Sequence, residues 1–258
     1  MAAAKIPLPN GAEVFGLNRG ETLFVYDEIF GGGYLRHGIT VRDGDTVVDV
    51  GANIGLFLVY LHLSNPAVRL LAFEPVPEVC DVLRQNVALF GMNADVEECA
   101  LGASEGTCRF TYYPDITIMS GCYADAAEDA STMKEFILHD SPRLRSSRAV
   151  DLMVASKLRP RELTCARRTL SSVIAERNVE RIDLLKIDVE KSELDVLLGI
   201  RDEHWPRIRQ VVVEVQDRDG RAGAVTNLLR RHGMRVSAES GGGGPGTGLT
   251  MLFARRDD

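Results

Sequence analysis

The chain has 258 residues, 45% of them hydrophobic and 26% charged, which suits one large soluble core, with or without an insertion, rather than two independent ones. Thirty Lys and Arg against thirty-seven Asp and Glu leave a net charge of −7, so a nucleic-acid backbone would meet a repelling surface and is excluded as an expected partner. The cysteines, Cys80, Cys99, Cys108, Cys122 and Cys165, are odd in number and form no CxxC pair, which argues against a disulfide framework and predicts buried thiols in a reducing compartment.

The first 44 residues form a lead-in without strong periodicity. Their start, MAAAKIPLPNGAEVFG, lacks the apolar stretch of a secretory signal, and the later run GLFLVYLHL is far shorter than the roughly 20 residues of a spanning helix. A cytoplasmic protein without a membrane segment is expected. From residue 46 onward, short runs rich in Val, Ile and Leu predict strands at 46–50, 69–73, 95–101, 182–188, 210–215, 234–238 and 249–254. Between the first pairs the pattern turns helical: over 77–90, Val79, Val82, Leu83, Val87 and Phe90 fall on one stripe that ends at Gly91. SELDVLLGI and RAGAVTNLLRRHG repeat that pattern later.

Apolar strands separated by amphipathic helices imply a doubly wound α/β fold with a mostly parallel sheet covered on both faces. The last two strands are joined by too few residues for a helical crossover and are expected to pair antiparallel. The rhythm breaks between Gly102 and Thr169, where a short helix near 133–139 is the clearest regular element. This segment, about 103–168, reads as an insertion or lid over a site, the alternative being a surface excursion. SGGGGPGTG, 240–248, has no Lys-Ser/Thr pair and opens no helix, so it is expected to be a hairpin tip and not a phosphate loop.

The stretch VVDVGANIGLF, 47–57, looks like a strand that enters a glycine turn and then a helix, and three readings compete for it: a dinucleotide site, a nucleoside site for S-adenosylmethionine, and a turn without a ligand. Gly51 and Gly55 are spaced GxxxG, with Asn53 where a dinucleotide fingerprint needs the glycine that lets backbone approach a pyrophosphate. S-adenosylmethionine has no phosphate, so Asn53 is no obstacle to it. Asp49 is then placed to receive the methionine ammonium, and the backbone N–H groups of Gly51, Ala52 and Asn53 its carboxylate. Glu74 and Pro75 follow the second strand, where an acid can take the ribose hydroxyls in either nucleotide reading. Ala100 and Leu101, at the end of the third, would flank the adenine or simply close a strand.

In IDLLKIDVEKSELDVLLGI, alternation along the strand puts Lys186, Asp188 and Glu190 on one face, with the two acids near the carboxyl edge where α/β ligands bind. They can assist placement of a sulfonium, orient an acceptor hydroxyl, take its proton or bind a metal; the structural alternative is an ion pair for Lys186 and a helix-start role for Glu190. Glu214 would face the same crevice. His37, just ahead of the first strand, is a further candidate base, with a surface histidine as the alternative. His62, His139, His204 and His232 show no metal-ligand spacing, and no metal site is expected. Tyr26, Tyr34, Tyr112 and Tyr113 are candidate acceptor-pocket walls, or core aromatics.

Taken together, ETLFVYDEIF with YLRHGI, GDTVVDVGANIGLF, LLAFEPVPEVCDVLRQNVAL, VEECALG, TLSSVI and IDLLKIDVEKSELDVLLGI resemble the FkbM-type methyltransferases over most of the chain. The resemblance implies a single domain with the class I methyltransferase (Rossmann-like) fold, a seven-stranded sheet with an antiparallel last strand. It implies S-adenosylmethionine as cofactor and methyl transfer, usually to a hydroxyl oxygen. Lys191 departs from the Gly that many members carry after this glutamate; here the chain is similar to the subgroup associated with polyketide and nonribosomal peptide assembly. A small-molecule acceptor, free or tethered to a carrier protein, is the implied substrate. N- or C-methylation, an NAD-dependent oxidoreductase and an inactive binding scaffold are the rival readings.

Overall fold

A computed structural model describes residues 3–140, 148–217, 220–240 and 248–256. Strands β1 (Ala4–Pro7) and β2 (Glu13–Gly16) form an antiparallel hairpin ahead of helix α1 (Arg19–Phe30). Asn18 caps that helix, its side chain accepting from the N–H groups of Gly20 and Glu21. The main alternation follows: β3 (Thr46–Val50), α2 (Leu56–Ser64), β4 (Arg69–Phe73), α3 (Pro77–Phe90) and β5 (Ala94–Glu97). Helix α3 begins with Pro77 in its first turn and ends on Gly91 in the left-handed conformation, at φ 63°.

The polypeptide then leaves the sheet. Residues 95–101, expected as one strand, divide into β5 and β6 (Ala100–Leu101), because β6 pairs with β8 (Arg161–Arg168) in a separate sheet. The third member there is β7 (Gly106–Tyr112), antiparallel to β8, and helices α4 (Ala126–Asp140) and α5 (Arg148–Lys157) lie between β7 and β8. The segment expected to be largely irregular is thus a three-stranded sheet carrying a helical pair. After β8 come α6 (Leu170–Glu176), β9 (Leu184–Ile187), α7 (Glu193–Leu198), β10 (Gln210–Gln216), α8 (Arg221–Arg231), β11 (Arg235–Ser240) and β12 (Leu249–Arg255).

The seven-stranded sheet runs β11-β12-β10-β9-β3-β4-β5. Strands β10, β9, β3, β4 and β5 are mutually parallel, whereas β12 is antiparallel to both β10 and β11. The last strand is therefore reversed, and it inserts between β10 and β11. Residues 241–247 of the glycine-rich stretch lie outside the described residues. One sheet face packs on α2, α3 and the lead-in, with Phe57, Leu61 and Leu83 nearly fully buried; the other packs on α6, α7 and α8 around Val173, Val196, Val225 and Trp205. Both faces being covered explains why β3, β4, β9 and β10 carry apolar side chains at consecutive positions. Among the described residues no helix is long and apolar enough to cross a membrane. The cysteines are free: Cys80, Cys99 and Cys165 are buried, while Cys108 and Cys122 are partly exposed, more open than expected.

Candidate active site

Strand order reverses between β3 and β9, since β4 and β5 follow on one side and β10 on the other. Ligands in open α/β sheets bind at such a switch point, outside the carboxyl ends of the strands. There a cavity of about 470 Å³ opens, within the range of small-molecule sites, roughly 300–1,000 Å³. Its floor comes from the turns after β3, β4 and β9, and its cover from α1, the 115–120 turn and α4.

Gly51 and Gly55 have φ of 78° and 85°, and Asn53 is left-handed too at 49°. At Gly51 a Cβ would sit 1.9 Å from the Asp188 carbonyl oxygen, so only glycine lets the turn after β3 nest against the turn after β9. Gly51, Ala52 and Asn53 line the cavity, but their N–H groups are already used: Gly51 and Ala52 both donate to Phe73 O at 3.0 Å, and Asn53 donates to Glu74 Oε2 at 3.0 Å. These donors brace the turn against the end of β4, which corrects the expectation that they hold a ligand carboxylate. Gly55 lies behind the wall, facing Leu83.

Glu74 reaches the cavity beside Pro75, 6% exposed. Its oxygens accept from Asn53 N–H and from Val76 N–H, each at 3.0 Å, leaving further lone pairs on the cavity side. Burial pushes its carboxyl up to about 7, despite those two hydrogen bonds. Ala100 and Leu101 line the same end, held there by β6.

Asp49 does not line the cavity. It is 1% exposed and its Oδ1 accepts from Lys186 Nζ at 3.0 Å. Alternation in β3 turns it beneath the turn, toward β9, where Lys186 is its register partner. Burial opposes the Lys186 charge, but Asp49 and Asp188 outweigh it and hold the ammonium above its usual range. Lys186 does line the cavity and also lies 3.4 Å from Asp188 Oδ2.

The opposite end of the cavity is acidic. Asp188, Glu190, Glu214 and Glu28 line it together. The Tyr34 hydroxyl donates to Asp188 Oδ2 at 2.9 Å, and Glu214 Oε2 lies 3.5 Å from the same hydroxyl. Glu190, at φ 38°, accepts from Gln216 Nε2 at 2.6 Å. Burial, reinforced by Asp188, pushes Glu190 and Glu214 well above the ordinary carboxylate range, and the same two causes bring Glu28 to about 7. Among the described residues no group of acids, histidines and cysteines has metal-binding geometry.

His37 is not in the site. Its Nε2 lies 2.6 Å from Glu239 Oε1 and its ring packs on Phe253, because the loop before β3 runs toward the β11–β12 edge of the sheet. Of the four tyrosines considered, Tyr34 lines the cavity; Tyr26, Tyr112 and Tyr113 do not. Glu28 was not identified from the sequence, although Glu21, Val25 and Glu28 share one helical face of ETLFVYDEIF, a spacing that marks them as a unit. Glu21 serves closure: Asn53 Nδ2 donates to Thr117 Oγ1 at 2.7 Å, and Thr117 Oγ1 and Ile118 N–H donate to Glu21 Oε1 at 3.0 and 2.9 Å. One chain of hydrogen bonds thus ties the glycine turn, the cover and α1.

The donor set fits S-adenosylmethionine better than a dinucleotide. Glu74 lines the cavity together with apolar Ala100 and Leu101, and Asp188, Glu190, Glu214 and Glu28 line it as well, a crowding of acids that a sulfonium and an ammonium would relieve and a pyrophosphate would worsen.

The family model described as the methyltransferase FkbM domain matches residues 49–236. The chain is 46% identical over 251 residues to the 31-O-demethyl-FK506 methyltransferase FkbM of Streptomyces tacrolimicus, covering 96% of this chain and 95% of that protein. It is 40% identical over 244 residues to the AMB antimetabolite synthetase AmbE of Pseudomonas aeruginosa, covering 90% of this chain but 12% of that much longer protein. A crystal structure of methyltransferase FkbM from Methylobacillus flagellatus superposes with a TM-score of 0.52 at 18% identity, covering 89% of this chain and 47% of that one, a likeness of fold.

Proposed function

The chain belongs to the FkbM methyltransferase family, and on that premise we propose that it transfers a methyl group from S-adenosylmethionine to a hydroxyl oxygen of a natural-product intermediate. The acid-lined wall of the switch-point cavity carries this reading: Asp188, Glu190, Glu214 and Glu28 are crowded there, so a cationic cofactor would ease their mutual repulsion whereas a pyrophosphate would add to it. Bound S-adenosylmethionine would supply an electrophilic methyl group on a sulfonium. Glu74 would hold the ribose hydroxyls, with Ala100 and Leu101 against the adenine. Asp49 acts from beneath, keeping Lys186 in place under the turn.

The acceptor hydroxyl would lie beside Asp188, in a cavity whose lining also includes apolar Phe24, Ile118 and Met133. Asp188, oriented by Lys186 and by the Tyr34 hydroxyl, takes the hydroxyl proton. Glu190 and Glu214, whose carboxyls burial pushes well above the ordinary range, offer hydrogen bonds to the acceptor's other oxygens. Holding the oxygen in line with the methyl carbon is the larger contribution, since orientation can supply about 7–11 kcal/mol. An acceptor from polyketide or peptide assembly is supported by two relatives: one is named as a 31-O-demethyl-FK506 methyltransferase, and the other is an antimetabolite synthetase containing a similar segment. The second relative, a synthetase, supports a carrier-tethered acceptor as one form of that substrate.

The test is product mass. Incubation with S-adenosylmethionine and a panel of free and carrier-bound hydroxylated acceptors should add one CH2, and fragmentation should place it on oxygen. Calorimetry that detected tight NADH binding and no heat with S-adenosylmethionine would refute the proposal.

A further inference from the structure

Lys191 has a φ of 68°, a left-handed backbone that favours glycine. Its side chain is nonetheless 7% exposed, with Nζ 2.8 Å from Asp129 Oδ1 and 3.1 Å from Glu128 Oε2, both in the first turn of α4. Asp129 is itself buried and accepts from the Tyr113 hydroxyl at 2.9 Å. The backbone of Lys191 is pinned as well: its N–H donates to Glu193 Oε1 at 2.8 Å, and its carbonyl accepts from Arg221 Nη1 at 3.0 Å. A lysine held on both sides of its own backbone offers a rigid anchor.

What it anchors is joined to the rest of the molecule by a few further contacts, among them the Tyr113 hydrogen bond and the packing of Ile116 and Met119. Met133 of α4 packs with Val150 and Val154 of α5 in a small apolar cluster separate from the two clusters that cover the large sheet. Yet Thr132, Met133 and Ile137 of α4 line the cavity. The apolar cluster of α4 does not merge with those that cover the large sheet, and the Lys191 ion pairs join α4 directly to the turn carrying Asp188 and Glu190.

We propose that Lys191 is a positioning residue that latches α4 onto the turn carrying Asp188 and Glu190 and so sets the width of the acceptor end of the cavity. The proposal takes its acceptor end from the function proposed above; the latch itself is independent of substrate. Replacing Lys191 by glycine removes the ammonium and relieves the backbone, so the fold should persist while the wall loosens. Hydrogen exchange on the full chain without substrate reads this directly. In Lys191→Gly, amides of α4 and α5 should exchange faster, by about tenfold or more given a buried pair broken on one side, with α3 and β3 unchanged. Lys191→Arg should restore protection. Under turnover, Lys191→Gly should raise the acceptor KM with little change in S-adenosylmethionine affinity.

Unchanged exchange in α4, or equal acceleration throughout the molecule, overturns the latch. A charge-reversed pair, Lys191→Glu with Glu128→Lys, offers a second measurement: protection better than in Lys191→Glu alone supports it, and no recovery counts against it. Should no methyl transfer be found in the unmodified protein, the proposed function fails while the exchange experiment still decides the latch.

Discussion

Replacing Gly51 by alanine perturbs the site where its steric demand is sharpest. Two costs add. A φ of 78° is unfavourable for an L-residue by about 1–2 kcal/mol. The new Cβ would also stand 1.9 Å from the Asp188 carbonyl oxygen and 2.9 Å from its carbon, both backbone atoms that no rotamer change can move. Overpacking of that kind costs about 1–3 kcal/mol, so Gly51→Ala should lose about 2–5 kcal/mol. For a chain of this size that corresponds to a fall in Tm of roughly 5–15 °C. Gly44→Ala supplies the control, because Gly44 has a similar φ of 87° and nothing within 4 Å of its Cβ position. Differential scanning calorimetry of both variants separates the backbone cost from the clash. The clash also pushes Asp188 away from β3, so cofactor binding should weaken in Gly51→Ala and not in Gly44→Ala. Equal Tm values for the two variants would refute the reasoning that the β3 and β9 turns depend on a glycine-tight contact.

Two further outcomes follow from the buried charges. Glu74 is raised from 4.5 to about 7 in the folded protein, so its contribution to stability is greatest below its unfolded pKa and is lost as pH rises from about 4.5 through 7; urea unfolding should show Glu74→Gln to be less pH-sensitive than the unmodified chain across that window, and equal slopes would discount the burial. Asp49→Asn strips Lys186 of its closer partner and should cost about 3–5 kcal/mol, whereas Asp49→Asn combined with Lys186→Met should recover part of the loss, and strict additivity in the unfolding data would rule out coupling.

The sequence legibly carried whatever depends on local chemistry. Apolar runs marked β3 and β4 at their observed bounds, and a stripe ending in Gly91 marked α3 likewise. A short connection between the last strands announced their antiparallel pairing. GxxxG with Asn53 argued against a dinucleotide because glycine spacing governs how near a phosphate can come. These are properties of neighbours along the chain, and neighbours are what a sequence displays.

Only the tertiary structure decided which side chains share the cavity. His37 lies nearer to β3 along the chain than Glu28 does, yet the loop after α1 carries His37 to Glu239 while α1 itself lays Glu28 beside Asp188. Asp49 sits at the expected strand end, but Lys186 comes from a strand far along the chain and draws it under the turn. Residues 95–101 read as one strand along the chain, and they divide because β8 offers Ala100 and Leu101 a partner outside the main sheet. In each case a long-range contact won over a local preference. Burial of a charge is tolerable only where a partner waits, and the partner's place is set by the fold.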